Sequence, residues 1–239
     1  METRVSMPRR AERDYGSNNA SAAHRPKRSA DRREKAAIAQ AAMIASIDSS
    51  WYRSVNEFAR DTSWAHGVLA NYANWAGLVL LALLLVAGWL LGRGRPDAPR
   101  STATAFLVGV GAVLALVANQ AIGPAVARTR PCHALTHVEV LVHCASDSSF
   151  PSDHAMIAGA FAAGLLLLNR RIGLAALLLA LLLAFARVYV GVHYPSDVAA
   201  GLAIGAAIGA LIVLALRTAT AAAALRLTRT PLRPFIVGR

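Results

Sequence analysis

The sequence predicts an all-α fold, a polytopic membrane helical bundle of about five to six transmembrane helices, and three observations carry that expectation. The 239 residues are 56% hydrophobic and yet bear a formal net charge of +12. Charge and apolar character are segregated: residues 1–35 hold ten Arg or Lys against five acids and contain no apolar run. Five later stretches, 75–91, 103–122, 155–168, 172–190 and 198–216, are apolar and nearly free of charge. A span needs ~20 apolar residues to cross ~30 Å of hydrocarbon. The run 75–91 approaches that length by extending back through Tyr72, and 155–168 by including its flanks. Five such runs in succession do not fit the buried helices of a water-soluble protein.

Taken in order, residues 1–35 are expected to form a disordered basic tail. Their charge suits contact with anionic lipid headgroups, and no nucleic-acid partner is expected. No apolar core followed by small residues marks a cleavable signal peptide. Residues 36–62 carry Trp51 and Phe58 among polar neighbours, and with Trp64, Leu69 and Tyr72 just beyond they resemble an amphipathic segment lying in the membrane interface. Residues 63–218 form the membrane domain, and 219–239 a basic C-terminal tail. Gly201, Gly205 and Gly209 recur every four residues, which allows close helix approach; intramolecular bundling and a dimer seam both fit, and the oligomeric state is left open.

Basic residues in short connections mark the cytoplasmic side. Arg93, Arg95 and Arg100, then Arg170 and Arg171, then Arg217, Arg226, Arg229, Arg233 and Arg239 place 92–100, 169–173 and the C-terminus inside. The connections 123–153 and 191–197 then face outward. Parity also puts residue 70 outside, whereas the basic tail favours the cytoplasm, so the side of the tail is left open.

The outward connections hold the polar residues that carry chemistry. One is Arg128-Thr129-Arg130-Pro131; another is Ser148-Ser149-Phe150-Pro151-Ser152-Asp153-His154; the third runs from Arg187 through His193-Tyr194-Pro195-Ser196-Asp197. An arginine inside an apolar helix is costly, so Arg187 invites a functional reading beside simple snorkelling to the outer surface. A carboxylate such as Asp197 can hold one nitrogen of His193 and leave the other free to attack. Ser152 is placed to cap the third span, and the same helix start offers backbone N–H groups and a positive dipole end to an anion. Asp153 fits a first-turn acid, His154 a proton donor beside the bound anion, and Arg130 and Arg187 a bidentate clamp on phosphoryl oxygens. Two histidines, a serine, a carboxylate and these arginines on one membrane face point to chemistry on a phosphate.

These clusters resemble the type 2 phosphatidic acid phosphatase superfamily, which shares its site with vanadium haloperoxidases. Arg130-Pro131 match its first motif, Pro151-Ser152 and His154 the second, with Asp153 at the usual Gly, and Arg187, His193 and Asp197 the third. The Ser-Phe-Pro-Ser-Asp-His form, the His-rich loop before it, the amphipathic entry and the Arg-Arg-Ile-Gly turn at 170–173 are similar to bacterial undecaprenyl-diphosphate phosphatases of the bacitracin-resistance type. One departure stands out: Gly123 occupies the position, seven before Arg130, of the wider family's phosphate-binding Lys. Arg128 either supplies that charge or faces lipid headgroups.

The resemblance implies a multi-pass protein of the bacterial inner membrane with an extracytoplasmic active site and no metal or other cofactor. His193 would attack phosphorus, Asp197 would orient it, and His154 would protonate the leaving oxygen. Arg130, Arg187, Ser152, the N–H of Asp153 and, on one reading, Arg128 would hold the phosphate. The substrate expected is a polyprenyl diphosphate, cleaved to the monophosphate; another phospholipid phosphate or a decaprenyl-linked sugar phosphate is the alternative. A non-catalytic lipid-phosphate binder or flippase is the rival of another class, motivated by Gly123. Cys132 and Cys144, the only cysteines, lie in the outward 123–153 loop, where a disulfide is expected; zinc held by them with His133, His137 and His143 is the weaker alternative because the spacing fits no common pattern.

Overall fold

The computed structural model describes residues 18–238, which are helical with no strand among them. The chain divides into two units, one ending at Ile47 and one beginning at Asp48, and helix α1 (Asn18–Asp61) runs across that division. In the first unit the backbone is helical from Asn18 onward, where an unstructured tail was expected through residue 35. Ala, Arg, Lys and Glu dominate this stretch, and all favour helix. Residues 1–17 of the expected tail lie outside the described residues.

The second unit contains every predicted apolar run. Helix α2 (His66–Asn71) joins α3 (Gly77–Arg93) through a π-helical turn over Tyr72–Ala76. The chain continues with α4 (Ala98–Val126), the single turn α5 (Pro131–Ala134), α6 (Asp153–Leu168), α7 (Arg170–Tyr189), α8 (Pro195–Leu227) and the short α9 (Arg233–Ile236). Among the described residues, Ser63–Arg93, Ala98–Ala134, Arg170–Tyr189 and Pro195–Leu227 are long and apolar enough to cross a membrane, and α6 is a shorter apolar helix. Large apolar side chains such as Phe106, Leu178 and Leu211 point outward and exposed, as a lipid-facing surface requires. The protein is a multi-pass membrane protein.

Helix α6 departs from the simple picture. Its 16 residues rise about 24 Å at 1.5 Å per residue, less than the ~30 Å hydrocarbon thickness. The helix packs against α3, α4, α7 and α8, and nine of its residues, mostly Ala and Gly with Met156, Phe161 and Leu165, are buried. The residue just before its first turn, Ser152, is fully buried rather than at the surface. A helix enclosed by protein at its N-terminal end needs no full lipid-facing length.

The glycine stripe is consumed inside the chain. A Cβ on Gly205 would lie 1.9 Å from the carbonyl oxygen of Met156, one on Gly209 2.7 Å from that of Ala160, and one on Gly201 2.8 Å from that of Ser152. Helices α6 and α8 therefore touch backbone to backbone, as small residues permit in membranes.

Two expectations change. Tyr72 is not an interfacial side chain: it is buried, and its hydroxyl donates to the carbonyl of Leu179 at 2.8 Å. The C-terminal segment is not a loose tail. The Ala-rich stretch after residue 218 extends α8 to Leu227, and the chain then returns to the α3–α4 connection. There Thr102 donates to the carbonyl of Ile236 at 3.1 Å, and the N–H of Gly238 to that of Arg93 at 2.8 Å.

Cys132 and Cys144 form a disulfide with Cα atoms 6.6 Å apart. Their sulfurs and His133 lie within 4.8 Å of one another, but the disulfide takes both thiols out of any zinc set.

Two outcomes follow from this packing. Gly205→Ala should lower stability by about 1–3 kcal/mol through overpacking, read as a fall in thermal midpoint in detergent. Gly67→Ala, whose Cβ meets nothing within 4 Å, should show no such fall. Replacing Cys132 and Cys144 by Ser should cost about 3 kcal/mol in the chain-entropy account; an unchanged midpoint in oxidised protein would contradict it.

Candidate active site

Three chain segments converge at the N-terminal ends of α6 and α8. Helix α4 ends at Val126, and Ala127 takes a left-handed conformation (φ 50°) that turns the chain toward Arg128 and Arg130. The 148–152 segment, with a cis Phe150–Pro151 bond, delivers Ser149 and Ser152 to the start of α6. After α7, Gly191 at φ 87° reverses the chain; a Cβ there would also meet the carbonyl oxygen of Glu139 at 2.3 Å, so the turn requires glycine. His193 follows at once.

His193 is almost wholly buried. Its Nδ1 lies 2.9 Å from the carbonyl oxygen of Ser149. A carbonyl only accepts, so Nδ1 carries the proton and Nε2 presents its lone pair. Arg130 Nη1 lies 3.1 Å from Nε2 and Arg187 Nη2 3.4 Å from it. Two guanidinium groups thus meet at the one nitrogen able to act as a nucleophile. Burial pushes the imidazole down to about 4; Asp197 opposes that shift, and Arg187 and Arg130 reinforce it. The ring is neutral at pH 7.

The orienting partner differs from the expected one. Asp197 Oδ2 stands 3.8 Å from His193 Nδ1, too far for a hydrogen bond, so Ser149 sets the tautomer instead. The carboxylate is fully buried and fully used. Oδ2 accepts from the Ser149 hydroxyl and from the N–H of Tyr194 at 2.8 Å, and Oδ1 accepts from Arg128 at 2.6 Å. The Tyr194 contact is the acidic half of a capping box at the start of α8. Asp197 sits where a carboxylate at helix position N3 belongs, and the helix start holds it behind the imidazole.

Ser152 does not cap α6. Its φ and ψ are those of an N-cap residue, but its hydroxyl accepts no backbone N–H. That oxygen is buried without a hydrogen-bond partner, and such a group normally has one; an arriving anion is a suitable partner. Asp153 opens the helix with its carboxylate on Asn119 Nδ2 at 2.5 Å, which leaves its backbone N–H, not its side chain, for an anion.

His154 and Arg187 share a support that sequence reasoning missed. His154 Nε2 donates to the carbonyl of Asn74 at 3.0 Å, and Arg187 Nη1 to that of Ala73 at 3.3 Å. Both carbonyls belong to the π-helical turn Tyr72–Ala76, whose widened path makes them available; such turns recur at functional sites. The Arg187 Nε, also buried, has no partner.

Arg130 is committed on its other side to Asp147, with Nε at 3.0 Å and Nη2 at 2.8 Å from one carboxylate oxygen. Arg128, considered above as a substitute for the absent lysine, points elsewhere. Its guanidinium donates to Asp197, Ser196 and Asp48, so its donors are spent on carboxylates and a hydroxyl and not on the space beside His193 Nε2. Gly123, seven residues before Arg130, lines an open cavity of about 430 Å³ with Asn119, Arg128, Arg130 and Asp153. Of the expected residues, Arg130, Ser152, His154, Arg187, His193 and Asp197 come together. Ser149, Asp147, Asp48 and the two π-turn carbonyls are additions. Ser149 lay within the motif and was legible as a polar neighbour; Asp48 had no signal in an amphipathic stretch.

The comparisons bear on the family and the fold that hold this site. The sequence profile of the PAP2 superfamily matches residues 103–221, which contain all six of those residues. The undecaprenyl-diphosphatase BcrC of Bacillus subtilis (strain 168) is 32% identical over 122 residues, covering 51% of this chain and 60% of that protein. Among solved structures, LpxE of Aquifex aeolicus has a TM-score of 0.51 at 24% identity, over 70% of this chain and 93% of its own. A transmembrane PAP2-type phosphatidylglycerolphosphate phosphatase from Bacillus subtilis has a TM-score of 0.50 at 23% identity, over 69% of this chain and 83% of its own. At these identities the two structures speak for the fold. The matched profile, the relative and the shared helical architecture together make this chain a member of the PAP2 superfamily.

Proposed function

We propose that the protein is a membrane lipid-phosphate phosphatase whose substrate is a polyprenyl diphosphate, cleaved to the monophosphate and inorganic phosphate through a phosphohistidine. The observation that carries the reading is His193 Nε2, neutral, held from behind by Ser149 and faced by both Arg130 and Arg187. A phosphoryl group entering between the two guanidinium groups takes over their donors and meets the lone pair in line. Nε2 bonds to phosphorus as the P–O bond to the leaving lipid phosphate breaks, and the imidazole becomes cationic. Asp197, 3.8 Å from Nδ1, stabilises that charge. Arg130, Arg187, the Ser152 hydroxyl and the N–H of Asp153 take the equatorial oxygens. His154, protonated on both nitrogens with its Nε2–H kept on the carbonyl of Asn74, gives its Nδ1 proton to the departing oxygen; the neutral ring then takes a proton at Nδ1 from the water that hydrolyses the phosphohistidine.

The preference for a polyprenyl diphosphate rests on the BcrC likeness and on the Ser-Phe-Pro-Ser-Asp-His form. Phosphatidic acid and related phospholipid phosphates are the alternative within the same chemistry. Trp51, Phe58 and Trp64, all exposed, would lie in the outer interface of a bacterial inner membrane, on the side of the site.

Phosphate release by detergent-purified protein in EDTA tests the reading. Wild type should release phosphate from undecaprenyl diphosphate faster than from phosphatidic acid, His193→Ala should release none, and His154→Ala should be slower by ~10²–10⁴-fold. Release that persists in His193→Ala would sink the mechanism; the opposite lipid order would shift the substrate.

A second test uses protonation. Between about 6.5 and about 4 the folded imidazole of His193 stays neutral while the unfolded one takes up a proton. The unfolded state then binds more protons, so stability falls as pH drops through that window. The thermal midpoint of wild type should decline there more steeply than that of His193→Gln. Parallel declines would show that His193 is not buried neutral.

A further inference from the structure

Behind Asp197 lies a second carboxylate that the phosphatase reading does not use. Asp48 is nearly as buried as Asp197, with side-chain exposures of 5% and 0%. Its Oδ1 accepts from the N–H of Ser196 at 2.9 Å and its Oδ2 from the Ser196 hydroxyl at 2.5 Å. Arg128 bridges the two acids: Nη2 lies 2.5 Å from Asp48 Oδ2, and Nη1 2.6 Å from Asp197 Oδ1 and 2.7 Å from the Ser196 hydroxyl. The guanidinium stacks 4.1 Å over the ring of Tyr194, a contact that favours arginine. Fork and stack together leave the group one orientation.

The charges explain why this cation matters. Two buried carboxylates around one guanidinium leave a net −1 next to His193. Without Arg128 the pair would carry −2 in a poorly solvated place, and an unpaired buried charge is strongly unfavourable. Asp197 would then protonate or turn toward solvent. Either change reaches His193 quickly, because Ser149 donates its hydroxyl to Asp197 and lends its carbonyl to His193 Nδ1.

We propose that Arg128 and Asp48 are positioning residues for the phosphoryl-transfer step, a relay that holds Asp197 behind His193, and that Arg128 is not a phosphate ligand standing in for the absent lysine. The proposal rests on the phosphatase reading above. It makes the part of α1 that begins at Asp48 a component of the catalytic apparatus. The same segment reaches other outward turns: Tyr52 donates to the carbonyl of Gly191 at 3.1 Å, and Asn56 to that of Glu139 at 2.8 Å.

The test compares full-length wild type, Arg128→Met, Arg128→Lys, Asp48→Asn and the Arg128→Met/Asp48→Asn double variant. Each is purified in detergent and assayed on the lipid phosphate that wild type hydrolyses best. Inhibition by inorganic phosphate, the probe of the anion site, is measured in parallel. A positioning role lowers kcat in Arg128→Met by roughly 10–100-fold, the scale of a ~1 Å misplacement, with KM and the phosphate inhibition constant within about 2-fold of wild type. Asp48→Asn should lose kcat in the same direction, and the double variant should be no slower than Arg128→Met, because residues of one network do not add.

A phosphate inhibition constant raised about 10-fold or more in Arg128→Met, with kcat little changed, would make Arg128 a direct ligand and overturn the proposal. So would wild-type kcat in Asp48→Asn. If Arg128→Met fails to elute as a monodisperse helical protein, Arg128→Lys decides. It keeps the charge but cannot fork between two carboxylates, so it should show the same fall in kcat with phosphate inhibition unchanged; wild-type kcat in this variant overturns the relay. Wild type that releases no phosphate from any lipid phosphate defeats the phosphatase reading itself, and the relay with it.

Discussion

Gly201, Gly205 and Gly209 bring α8 against α6 at backbone distance, and the site at the start of both helices hangs on that approach. Where the two helices meet, the N–H of Ser152 donates to the carbonyl of Asp197 at 3.2 Å. A side chain at Gly201 would strike the carbonyl of Ser152 and push the start of α6 off the start of α8. The serine oxygen awaiting a partner and the carboxylate behind His193 would then separate. Small residues do this in a membrane because helices there gain little from burying apolar area against each other and rely on close packing.

Around that junction the charges sort themselves by what can neutralise them. Arg130 and Arg187 face the nitrogen of His193 and keep donors that an anion can take. Arg128, two residues before Arg130, is turned away by the left-handed Ala127 and is saturated by Asp48, Asp197 and Ser196. Neighbouring arginines of one sequence motif therefore have different surroundings. Burial makes the distinction matter: a guanidinium already paired with two carboxylates would have to surrender both to bind phosphate.

The π-helical turn over Tyr72–Ala76 illustrates a different dependence. An α-helix spends each interior carbonyl on its own ladder, yet here Ala73 and Asn74 lend theirs to Arg187 and His154. The first span thereby contributes to the site without a functional side chain of its own. Nothing in Tyr-Ala-Asn-Trp-Ala announces it, because the feature is a path of the backbone.

The legible part of this protein was what lies in periods and motifs. Apolar runs of membrane length, arginine-marked turns and three ordered polar clusters were enough for a helical bundle with Arg130, Ser152, His154, Arg187, His193 and Asp197 on one face. They sufficed because hydrocarbon thickness and charge asymmetry act on chain segments independently of their neighbours. What needed the tertiary structure was pairing between distant residues: Ser149 rather than Asp197 on His193 Nδ1, Arg128 on Asp48, Ser152 uncapped, and the glycine stripe turned inward onto α6. A hydrogen bond of about 3 Å between residues a hundred positions apart depends on how helices pack, and that information belongs to no single stretch of the chain.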